Sequence, residues 1–71
     1  MNQYPENYIL LLKEVMRVTG LSKSTIYNYG NPKSKHYFPE FPKRRRRGRR
    51  GIGWLSGEVF AWLATRDLIL V

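Results

Sequence analysis

Thr19-Gly20-Leu21-Ser22-Lys23-Ser24-Thr25-Ile26-Tyr27 is the segment from which the architecture of this chain is read. Gly20 suits the left-handed conformation that commonly ends a helix. Ser22 suits an N-cap, because its hydroxyl accepts a hydrogen bond from an otherwise unpaired N–H of the next helical turn. Upstream, Leu12, Val15, Met16 and Thr19 recur at spacings of three and four, which predicts a helix from Leu12 to Gly20. Downstream, Ile26 and Tyr29 are three apart, and Gly30-Asn31-Pro32 stops a second helix at about Tyr29. Two short helices joined by a Gly-centred turn read as a helix-turn-helix. Val15, Leu21 and Ile26 fill the three places where such a motif needs apolar residues, while Met16 stands where Ala is frequent. The first turn of the second helix would enter a major groove. Ser22, Lys23, Ser24, Tyr27 and Asn28 are the short polar, basic or hydrogen-bonding residues suited to that face. A helix that only filled a core would more often carry Glu and Lys for solubility.

Working outward, Met1–Asn7 reads as a loose arm and Ile9–Leu12 as a short strand. Asn31–Glu40 is a polar loop, kept extended near its end by Pro39 and Pro42. Phe41 and Gly51-Ile52-Gly53-Trp54 flank a basic run broken by Gly48, a pattern predicting a β-hairpin of roughly 41–46 with 49–55. Ser56 reads as another N-cap, with Glu58 in the first turn, where the helix dipole favours an anion. A third helix runs from Gly57 to about Arg66, its apolar face made by Val59, Trp62 and Leu63 with Phe60 beside it. An apolar tail, Leu68–Val71, follows Asp67.

The expected fold is a small α+β domain over residues 1–71. It has three helices, a β-hairpin and a short N-terminal strand, with an arm at 1–7 and a tail at 67–71. A chain of 71 residues has room for one core, and 42% apolar and 14% aromatic residues suffice to build it. The absence of cysteine excludes a disulfide scaffold, a Cys-ligated zinc site and a thiol nucleophile. The longest apolar run, Tyr8–Leu12, is far shorter than the roughly 20 residues of a membrane span. Met1–Asn7 does not read as a signal peptide, and no membrane partner is expected. His36 is the sole histidine, the carboxylates are scattered, and Gly51-Ile52-Gly53 lacks the third glycine of a dinucleotide fingerprint. Neither an enzyme, a metal nor a cofactor is expected.

Charge carries more information. Thirteen Lys and Arg oppose five Asp and Glu, for a net +8 and a pI near 10.3. Lys43, Arg44, Arg45, Arg46, Arg47, Arg49 and Arg50 supply +7 of it, so the rest of the chain is almost neutral. A localisation tag would lie free at a terminus. This run is internal and bracketed by apolar anchors, as a wing lying along a phosphate backbone or entering a minor groove would be.

Leu12-Lys13-Glu14-Val15, the Thr19–Tyr27 string, Phe41-Pro42-Lys43, Gly48, Ile52-Gly53-Trp54 and Glu58-Val59-Phe60-Ala61-Trp62-Leu63 together resemble the AlpA family of prophage regulators. The likeness covers about residues 9 to 66. That family is related to the small phage excisionases and to MerR-type winged helices. The resemblance implies a winged helix-turn-helix that binds double-stranded DNA in the cytoplasm, at the nucleoid or in a phage-infected cell. It implies a role as transcriptional regulator or as recombination directionality factor. Ser22, Lys23, Ser24, Thr25, Tyr27 and Asn28 would form the recognition helix, and Lys43, Arg44, Arg45, Arg46, Arg47, Arg49 and Arg50 the wing. A tyrosine integrase and further copies on DNA are the other implied partners. Three features depart from the family pattern: a longer link from Tyr27 to Phe41, the apolar tail, and the richness of the wing in arginine. Two alternatives use the same residues: an RNA-binding module built on the arginine hairpin, and an integrase-interaction protein docking through Leu68–Val71.

Overall fold

The computed structural model describes residues 7–66; the expected arm, apart from Asn7, and the expected tail lie outside them. The elements are β1 (Ile9–Leu10), α1 (Leu12–Thr19), α2 (Lys23–Tyr29), β2 (Arg45–Arg46), β3 (Ile52–Leu55) and α3 (Ser56–Ala64). Glu14 opens α1 by accepting the Leu11 N–H at 2.9 Å. Gly20 closes it with φ +74° and donates its N–H to the Met16 carbonyl at 2.8 Å. Thr19 stiffens the turn: its hydroxyl donates to the Val15 carbonyl at 2.6 Å and accepts the Leu21 N–H at 3.2 Å. Ser22 then caps α2, accepting the Thr25 N–H at 3.2 Å. The helix-turn-helix therefore forms where local signals place it.

β3 is the middle strand of a three-stranded antiparallel sheet in the order β1-β3-β2. Ile9 pairs with Leu55 and Leu10 with Trp54; on the other edge Arg45 pairs with Gly53 and Arg46 with Ile52. The hairpin is thus shorter than expected. Phe41 and Pro42 are buried beyond the ladder, and proline has no N–H to give it. An Arg47 N–H to Gly51 carbonyl bond of 2.8 Å closes the loop end.

Ser56 also departs from expectation. Leu55 occupies the N-cap of α3, and no side chain caps it. Ser56, only 1% exposed, instead ties α3 to the segment before β1. Its N–H donates to the Tyr8 carbonyl at 2.7 Å, and its hydroxyl accepts the Tyr8 N–H at 2.9 Å. α3 ends at Ala64, where the Thr65 hydroxyl turns back onto the Trp62 carbonyl at 2.6 Å.

Leu10, Val15, Ile26, Phe41, Trp54, Val59 and Trp62 form the buried core, with Leu21 and Leu63 packed against it and Phe60 46% exposed. The 31–40 loop contributes to this interior. Phe38 lies 5.2 Å from Tyr29 and 5.7 Å from Trp62, while Phe41 lies 4.9 Å from Trp62, both on Trp62 in edge-to-face geometry. The outcome is a small winged helix-turn-helix. Among the described residues no helix is long and apolar enough to cross a membrane.

Candidate nucleic-acid interface

α2 presents its first turn to solvent. Ser22, Lys23 and Ser24 are exposed, and Thr25 is half-buried, bonded to the Ser22 hydroxyl at 2.9 Å. One turn on, Tyr27 and Asn28 are half-buried. The Tyr27 ring packs 6.3 Å from Trp54, so only part of it is free to face a ligand. The Asn28 side-chain Oδ1 accepts the Ser34 hydroxyl at 3.3 Å. That bond fixes the amide plane and leaves the NH2, which has no partner among the described residues, to donate elsewhere.

The wing residues Lys43–Arg50 are all exposed, yet they are not equivalent. Successive strand residues leave opposite faces of a sheet. The Arg44 guanidinium lies 5.8 Å from the Tyr27 ring centroid, joining the wing to α2. Arg45 leaves the other face. Its Nε and Nη2 donate to the two carboxylate oxygens of Glu58 at 3.2 and 2.7 Å. The hydrogen bond to Glu58, then the Glu58 charge, raise the Arg45 guanidinium above its ordinary pKa, opposed by desolvation. Lys43 donates to the Tyr37 hydroxyl at 3.1 Å and to the Pro39 carbonyl at 3.5 Å. The guanidinium of Arg47 folds over Gly51, whereas Arg49 and Arg50 occupy the loop tip.

Arg44, Arg45, Arg46, Arg49 and Arg50 line a polar cleft of about 450 Å³, in which the Arg45 fork is already engaged by Glu58 and the other four guanidiniums are not. Guanidinium forks meet phosphate oxygens two at a time, so such a cleft suits a polyanion backbone. A second cleft of about 680 Å³, on the α3 side, has Phe38, Phe41 and Trp62 in its walls, and Glu40 and Glu58 beside Lys43 and Arg66. Its mixed charge does not suit a polyanion.

The structure therefore brings Tyr27 and Arg44 together and turns Lys43 and Arg45 toward other elements. Sequence reasoning missed Glu58 and Tyr37 as partners of the basic run. It also missed Arg66, whose guanidinium lies 4.2 Å from the Trp62 ring centroid. The only signal for Glu58 was its place in a first helical turn, which accounts for a dipole contact without naming Arg45.

Residues 8–67 match the family described as prophage CP4-57 regulatory protein (AlpA). The chain is similar to the DNA-binding transcriptional activator AlpA of Escherichia coli (strain K12), with 41% identity over 66 residues, 93% of this chain and 94% of that protein. It is also similar to the uncharacterized protein ORF88 of Enterobacteria phage P4, with 40% identity over 57 residues. That match takes in 80% of this chain but only 58% of the phage protein. No solved structure matches. On a family match that runs from Tyr8 to Asp67, with helices, turn and wing all inside it, the chain belongs to the AlpA family of prophage regulatory proteins.

Proposed function

We propose that the chain binds duplex DNA sequence-specifically and regulates transcription in the manner of a prophage regulator, acting in the cytoplasm where that DNA lies. α2 enters the major groove by its exposed Ser22-Lys23-Ser24 turn, with Tyr27 and Asn28 one turn on reading base edges. The wing follows the neighbouring backbone or minor groove. The observation that carries this reading is the Arg44–Tyr27 contact, which docks the cationic wing against the exposed helix so that one ligand can meet both. The activator name of the Escherichia coli relative supports regulation. A recombination directionality factor would use the same contacts. The RNA alternative has less support, because Phe38 and Phe41, which would have to form a stacking platform, pack on Tyr29 and Trp62.

Salt dependence tests the wing. If Arg44, Arg46, Arg47, Arg49 and Arg50 meet phosphates, log K against log salt should fall with a slope of about −4 to −5. Neutralising Arg44, Arg46 and Arg47 together should make that slope shallower and weaken binding to all duplexes alike. An unchanged slope in that variant refutes the wing assignment.

A further inference from the structure

The seven cations of the basic run do not share one task. We propose that Arg45 is a positioning residue: clasped by Glu58, it braces the wing against α3, and phosphate contact falls to Arg44, Arg46 and the loop arginines. This rests on the DNA-binding reading above and deepens it.

Three observations carry the assignment. The first is geometric. Both donors on one edge of the Arg45 guanidinium meet the two oxygens of one carboxylate, at 3.2 and 2.7 Å, a directional fork rather than a loose approach of charges. The second is register. Arg45 stands opposite Gly53 and Arg46 opposite Ile52, so the two side chains leave opposite faces of the ribbon. Arg44 reaches Tyr27 on α2, whereas Arg45 reaches Glu58 on α3. The third is mechanical. β2 and β3 are joined by only two residue pairs, and a two-stranded ribbon so short does not hold an angle unaided. The side chains of Arg45 and Glu58 are 49% and 39% exposed. A pair so wet adds little to global stability, so its effect is expressed in where the wing points. Because the pair is neutral, it also releases no counterion on binding.

The test uses the full chain and a random-sequence duplex, with affinity read by fluorescence anisotropy from about 50 to about 200 mM salt. Arg46→Gln should flatten the slope of log K against log salt by about 0.9, the loss of one phosphate contact. Arg45→Gln should leave the slope unchanged while lowering affinity by up to about fivefold at every salt, the range for breaking one exposed ion pair. Glu58→Gln should weaken binding although it makes the protein more positive. The exchange of both, Arg45→Glu with Glu58→Arg, should restore affinity with the native slope, which loss of a charge alone would not permit. Tighter binding by Glu58→Gln overturns the proposal, as does a slope flattened by about 0.9 in Arg45→Gln. So does an exchange variant no better than Arg45→Glu alone. If Arg46→Gln and the combined neutralisation of the proposed wing contacts all leave the slope unchanged, the wing assignment itself fails, an outcome separate from these.

Discussion

Gly20 and Gly53 are required for different physical reasons. At Gly20 the backbone has φ +74°, while a Cβ would meet nothing within 4 Å. The requirement is conformational alone, and Gly20→Ala should cost about 1–2 kcal/mol. At Gly53 a Cβ would collide with the Ile9 Cγ2 and stand 2.7 Å from the Leu10 carbonyl oxygen. That oxygen belongs to the paired backbone of β1 and cannot rotate aside. Gly53→Ala should therefore force the strands apart at a cost of about 1–3 kcal/mol. Urea unfolding of both variants checks the two values. Gly20 is legible from its neighbours in sequence, because a helix precedes it and an N-cap follows. The need for Gly53 is not, since the atoms that forbid a side chain there arrive from Ile9 and Leu10, at the far end of the chain.

Helix boundaries follow the same division between near and distant causes. α1 and α2 lie almost where spacing, Gly20 and Ser22 place them, because the atoms that start and stop them are within a few residues. Ser22→Ala should cost about 0.5–2 kcal/mol by removing the acceptor of the Thr25 N–H, measured by thermal unfolding. Ser56 has the same chemistry and a different fate, because Tyr8 takes both its backbone and its hydroxyl. The basic run was legible as a hairpin but not as a set of unlike residues, since alternation assigns faces only once the register with β3 is known. Within α2, Asn28→Ala should cost about 1–3 kcal/mol on a cognate duplex and little on random DNA, if its amide reads an adenine. Competition binding with both DNAs checks this, and equal losses would leave α2 as a helix that only positions the protein.

The whole molecule turns on Trp62, 7% exposed and surrounded by Tyr29, Phe38, Phe41 and the Arg66 guanidinium. Trp62→Ala should cost about 3–5 kcal/mol. A domain of this size has little more than that in reserve. The variant should be largely unfolded by circular dichroism at room temperature and lose DNA binding with its fold; a cooperative melt near wild type without binding would make Trp62 a contact residue instead. Trp62→Phe should be far milder. The indole N–H is buried with no acceptor among the described residues, so its removal returns part of a penalty of about 1–3 kcal/mol. At this scale the join of Tyr8 to Ser56, 48 residues apart, also sets the order of folding. The turn between α1 and α2 is built from local bonds and needs only about microseconds once released from the ribosome. The sheet is a non-local closure, the slow class of folding event. During synthesis, then, the arginine run leaves the exit tunnel before Leu55 and Ser56 exist outside it to meet Ile9 and Tyr8. Over that interval the arginine run is in place without the strand that aims it.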